Sequence, residues 1–141
     1  MAMQPFCGYN FGDYWQHWLN IGAKLARPPR IYHVNWFRRD AHGKFLWPGY
    51  GENLRVLAWM LDRCAGKAGA SESAAGWLPR PADLDTRGLN VGAEALAALL
   101  TVDAGLWRKE VAELREYLRR FGSRLPQALL AELESTEQRL A

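Results

Sequence analysis

A chain of 141 residues, 49% of them apolar, can bury one substantial core but not two. No apolar run approaches the roughly 20 residues needed to cross a bilayer, and residues 1–10 lack the charged start and apolar stretch of a secretory leader, so a soluble, cytoplasmic protein with no membrane partner is expected. The formal charge of +3 comes from 18 basic residues interleaved with 15 acidic ones, which argues against a dedicated nucleic-acid surface; Cys7 and Cys64 are too far apart for a zinc pair and too few for a disulfide framework.

In chain order, Asn10 followed by Asp13 marks a helix start, because an asparagine side chain can accept a bond from an unpaired backbone N–H and an acidic first turn suits the helix dipole. Phe11, Tyr14, Trp15, Trp18, Leu19, Gly22 and Leu25 then recur at helical spacing, and the run must end by Pro28-Pro29. Residues 31–37 change to a period of two, with Tyr32, Val34 and Trp36 on one side and Ile31, His33, Asn35 and Phe37 on the other, which predicts a strand. Asp40-Ala41-His42-Gly43 supplies turn residues, and Phe45-Leu46-Trp47 can return antiparallel before Pro48-Gly49, giving a small hairpin.

A second helix is expected from Gly51 or Glu52, with Leu54, Leu57, Met60, Leu61 and Cys64 on one side and closure near Gly66. Residues 66–75, rich in Gly, Ala and Ser, predict a mobile surface loop, followed by a short extended segment at Trp77-Leu78-Pro79. Helices are predicted over 93–102, over 103–121 with Leu106, Trp107, Val111, Leu114, Tyr117, Leu118 and Phe121 on its apolar face, and over 126–140 with Pro126 in the first turn. The expected fold class is α+β, mostly helical: a small β-hairpin packed with about five helices. A single domain is expected over 1–141, divided into a segment 1–64, a loop-rich connection 65–92 and C-terminal helices 93–141.

The segment with chemical character is Asn35-Trp36-Phe37-Arg38-Arg39-Asp40 and Gly43-Lys44-Phe45-Leu46-Trp47-Pro48-Gly49-Tyr50-Gly51-Glu52-Asn53. Flat rings are what a planar base stacks on, at about 1–3 kcal/mol per base. An asparagine amide such as Asn53 can read a base edge, and Gly49 and Gly51 let backbone approach a ligand. By spacing alone, however, clustered rings are more often core than binding site. Arg38, Arg39 and Lys44 read either as charges near a nucleotide or as solvated hairpin residues, the latter favoured for Arg39 and Lys44. His17 and His33 are expected to be packed, His42 to be a solvated turn residue, and both cysteines to be small buried side chains. Gly43-Lys44 and Gly66-Lys67 lack the spacing of a phosphate-cradling loop and read as turns.

Asn35-Trp36-Phe37-Arg38 followed by Lys44-Phe45-Leu46-Trp47-Pro48-Gly49-Tyr50-Gly51-Glu52-Asn53 resembles the guanine-binding segment of the GTP-dependent phosphoenolpyruvate carboxykinases. Pro5-Phe6, Gly8-Tyr9-Asn10-Phe11-Gly12, Trp18-Leu19, Arg55-Val56-Leu57 and Trp59-Met60 extend the likeness, which is close over 2–64 and rests beyond that on the order of elements. The resemblance implies the C-terminal part of a larger α/β nucleotide-binding enzyme. It implies that Trp36, Phe37, Phe45 and Tyr50 form a slot for the base of GTP or GDP, that Asn53 reads its edge, and that Gly51 and Glu52 contribute backbone. It also implies that the phosphate loop and the ligands for manganese and magnesium lie in a missing N-terminal part of the same enzyme, so the isolated chain is expected to be inactive, to expose apolar surface and to self-associate. Tyr50 stands where the family usually carries phenylalanine, and Cys7 where a second phenylalanine is common. The alternative, from another class, is a helical interaction module that docks a protein partner or single-stranded nucleic acid through its aromatic face; nucleic acid is the less expected partner.

Overall fold

A computed structural model describes residues 3–141; Met1 and Ala2, where the leader reading and the family likeness begin, lie outside the described residues. The described residues hold five α-helices and a two-stranded antiparallel hairpin: α1 (Phe11–Gly22), α2 (Asn53–Cys64), β1 (Ser71–Ser73), β2 (Gly76–Leu78), α3 (Ala93–Leu99), α4 (Ala104–Arg119) and α5 (Gln127–Arg139). The mostly helical α+β class is therefore what the chain adopts. Two compact units result, and the first is discontinuous: it runs to Pro29 and resumes over Asp103–Ala141, with Arg30–Val102 forming the second between them.

In the first unit α1 starts where expected, with the Asn10 side chain accepting from Gly12 N at 2.8 Å. It ends before the prolines, as Lys24 N and Leu25 N bond to the carbonyls of Ile21 and Gly22 three residues back and tighten the last turn. Phe11 is buried, and Trp15 meets Phe121 edge-on at 4.8 Å. Helix α4 is capped by Asp103, whose carboxylate accepts from Leu106 N at 2.9 Å, and buries Val111 and Leu118 of its predicted face while Leu106 and Leu114 stay exposed. Arg108 donates twice to the carbonyl of Leu140, at 3.1 and 2.9 Å, and so ties α4 to the end of α5. Pro126 precedes the first helical residue of α5 instead of occupying its first turn.

The second unit departs from expectation in where its hairpin lies. Residues 31–37 keep the predicted alternation, Tyr32, Val34 and Trp36 being more buried than their neighbours, but they form no strand. Pairing there is confined to one bridge, Arg39 to Phe45, across the expected turn, in which Asp40 Oδ1 accepts from His42 N and Lys44 N at 2.8 and 2.9 Å. The β-hairpin forms instead further along, with β1 inside the stretch 66–75 read as a mobile loop and β2 overlapping the extended segment expected at Trp77-Leu78-Pro79, Ser71 lying opposite Leu78 and Ser73 opposite Gly76. Its cause is local turn chemistry: Gly76 takes φ +116°, which a side chain would strain, and Ser73 Oγ donates to Gly76 O at 2.6 Å.

Helix α2 ends on Gly66 at φ +73°, with Lys67 N bonded to Asp62 O and Gly66 N to Arg63 O, the paired closure that a left-handed glycine permits. Its leucine side faces outward, since Leu54, Leu57 and Leu61 are exposed and Cys64 with them. Trp59, 4% exposed, takes the inner side, because one indole buries more apolar area than any leucine. The expectation of buried cysteines fails accordingly: Cys64 sits on the outer side of α2 with the Tyr32 hydroxyl at 3.6 Å, and Cys7 is half-buried. His17 and His33 are likewise exposed instead of packed.

Candidate functional site

The second unit carries two neighbouring clefts. The larger, about 1000 Å³, is lined by Trp36, Phe37, Phe45, Tyr50 and Asn53, so five of the seven side chains singled out from sequence come together there. Gly51 and Glu52 do not line it; they belong to the smaller cleft of about 390 Å³ with Arg55, Trp59, Asp83 and Asp85.

The cleft is built by the turn and the entry to α2. Folding 38–46 back on itself brings Phe37 and Phe45 to 6.2 Å, with their planes at 62°. Gly49 at φ +122° then redirects the chain into a single 3₁₀ turn, Tyr50–Glu52, that delivers Asn53 as the first residue of α2. Phe37 is 72% exposed and Tyr50 92%, as rings at the mouth of a cleft are. Trp47 forms the floor at 6% exposure, with Trp36 at 6.2 Å, and its indole N–H donates to Asn53 Oδ1 at 2.8 Å.

Phe37 and Phe45 meet edge to face. A base held between two parallel rings needs about 7–8 Å, twice the ordinary carbon contact distance. Phe37 is exposed enough to turn, and exposed side chains change rotamer in picoseconds to nanoseconds. Arg39 does not merely sit in solvent: its guanidinium lies 3.9 Å over the Phe45 ring and donates to Gly43 O at 2.6 Å, covering one ring face and bracing the turn. Arg38 is committed elsewhere, donating to Thr101 O at 3.1 Å beyond the C-terminal end of α3, where a cation is favoured. Lys44 lines the cleft.

The opposite wall is Asn90, Val91, Gly92 and Ala95, which no reading of the aromatic segment could include because they lie about forty residues further on. The only trace of them in sequence is the helix entry that follows Asn90.

In the smaller cleft Arg55 donates to Glu52 Oε2 at 2.6 Å and to Asp85 O at 2.7 Å, while Arg87 grips the Asp85 carboxylate at 2.9 and 2.7 Å. The hydrogen bonds from Arg87 hold the Asp85 carboxyl far below the usual aspartate range, and the Arg80 fork does the same, less strongly, for Asp83. A folded pKa below the unfolded one means that this pairing is complete above the ordinary value of 3.8 and is lost as pH falls through the lower, folded value. Carboxyl-detected NMR titration should therefore place the Asp85 midpoint below 3.8; a midpoint at or above that value would show that the Arg87 pair does not persist in solution.

The family model described as the phosphoenolpyruvate carboxykinase C-terminal P-loop domain matches residues 1–139. The chain is 51% identical to the phosphoenolpyruvate carboxykinase (GTP) of Treponema pallidum (strain Nichols) and 52% identical to that of Neocallimastix frontalis, each over 99% of this chain and 23% of the relative. It is 48% identical to the same enzyme of Anaeromyxobacter sp. (strain K), over 99% of this chain and 24% of the relative. The chain thus spans about a quarter of the length of the curated relatives it matches. These matches do not support the alternative of an independent helical interaction module.

Proposed function

Because the chain belongs to the family of the phosphoenolpyruvate carboxykinase C-terminal P-loop domain, we propose that it supplies guanine recognition to a GTP-dependent phosphoenolpyruvate carboxykinase. The observation that carries this reading is the convergence of Trp36, Phe37, Phe45, Tyr50 and Asn53 on one cleft. Rings at its mouth offer stacking faces, and an amide at its side offers the directional contact that stacking lacks. Gly51 and Glu52 contribute by shaping the turn that delivers Asn53.

The whole enzyme, on this proposal, converts oxaloacetate and GTP to phosphoenolpyruvate, carbon dioxide and GDP, a gluconeogenic reaction carried out in the cytoplasm. Loss of carbon dioxide leaves an enolate, whose oxygen takes the γ-phosphoryl group of GTP and releases GDP. Positioning of the nucleotide is the share that falls to this chain. Among the described residues no group of three His, Cys, Asp or Glu side chains converges to hold a metal ion, so the manganese and magnesium that the resemblance implies do not fit the residues present. The exposed stripe of Leu54, Leu57 and Leu61 supports two further parts of the proposal, docking onto the remainder of a longer enzyme and self-association of the 141-residue chain by itself.

Tryptophan fluorescence tests the reading, since Trp36 and Trp47 line the cleft. A saturable change with GTP or GDP, at lower concentration than with ATP, is expected. A response that ignores the base, is shared by an oligonucleotide and falls steeply with salt would overturn it.

A further inference from the structure

The hydrogen bond between Trp47 and Asn53 determines what the cleft can read. An indole N–H is a donor and nothing else, so the Asn53 atom that receives it at 2.8 Å is the carbonyl oxygen. The amide is planar, and with its oxygen held its two N–H groups are what remain to meet a ligand. Trp47 is itself fixed, being 6% exposed beneath Trp36, while Asn53 is held by the start of α2. Both residues line the larger cleft.

We infer that Trp47 is a positioning residue that locks the Asn53 amide with its donors toward the base, and thereby selects 6-oxopurines over 6-aminopurines. This inference rests on the base-binding reading above. A 6-oxo group accepts from the amide N–H; a 6-amino group presents N–H to N–H and leaves both unpaired, which is how a hydrogen-bonding site rejects an analogue. Without the indole donor the amide can rotate by half a turn and accept from a 6-amino group as readily as it donates to a 6-oxo group.

Calorimetric titration of the 141-residue chain with GTP, ITP and ATP separates the possibilities without relying on tryptophan emission. The chain as it stands should favour both GTP and ITP over ATP, because the two share the 6-oxo group. In Trp47→Phe, which keeps a ring in the floor, both preferences should fall about tenfold while the ratio of GTP to ITP stays constant. A merely structural loss would weaken all three nucleotides together. Asn53→Asp provides the second arm: it keeps an acceptor for Trp47 but replaces the N–H groups with oxygen, so the preference should shift toward ATP by at least about tenfold. If the unaltered chain has no preference for 6-oxopurines, the base-binding reading fails. If it has the preference and a folded Trp47→Phe retains it undiminished, the positioning role fails while that reading stands. Should Trp47→Phe not fold, an unchanged preference in Asn53→Asp overturns the inference, and a shift toward ATP sustains it.

Discussion

Trp59→Ala is expected to destabilise the chain by about 3–5 kcal/mol, the usual range for truncating a buried aromatic side chain. Trp59 is 4% exposed, meets Tyr32 edge-on at 5.9 Å, and donates from its indole nitrogen to Gly69 O at 3.2 Å. Its removal takes out the largest side chain on the inner face of α2, leaves a cavity, and strips the Gly69 carbonyl of that partner. Denaturant unfolding followed by circular dichroism measures the loss. A change below about 1 kcal/mol would show that residues 30–102 are not organised around this ring.

Gly12→Ala should cost about 3 kcal/mol, against the ordinary rule that alanine stabilises a helix relative to glycine by about 0.5–1 kcal/mol. A Cβ at position 12 would stand 2.3 Å from the carbonyl oxygen of Arg124 and 2.8 Å from its carbon. Both are backbone atoms, and Arg124 is further fixed by the ion pair between its side chain and Asp13. Gly22 in the same helix has nothing within 4 Å of its would-be Cβ, so Gly22→Ala should be neutral or slightly stabilising. Equal melting temperatures for the two variants would refute the close approach at Gly12.

The parts of this structure that could be read in advance are those governed by neighbours in sequence. Asn10 caps α1 because a short polar side chain reaches an N–H two residues away. Asp40 and Gly43 make the turn that gathers Phe37 and Phe45, and Gly66 closes α2. What escaped the reading depends on partners far along the chain. The alternation over 31–37 is present, yet a strand needs a second one beside it, and beyond the Arg39–Phe45 bridge no pairing follows. Whether α2 buries its leucines or its tryptophan is decided by Tyr32 and Gly69, not by the helical period. In the same way, four rings and Asn53 were visible as a constellation, whereas the wall at residues 90–95 was not, and the separation of Gly51 and Glu52 into the smaller cleft follows from the direction of one 3₁₀ turn.

The discontinuity of the first unit has a consequence for biosynthesis. Phe11 and Trp15 are synthesised before residues 30–102, but Phe121, the ring that Trp15 packs against, is encoded beyond the whole of that stretch. At about 5–20 residues per second, translation of that intervening stretch takes about 4–15 s. During this interval the aromatic side of the first helix has no completed nest, while the intervening unit has all of its own residues in hand and can close first. Within residues 3–141 the intervening unit can therefore close before the first, and Trp15 waits for the ring it packs against.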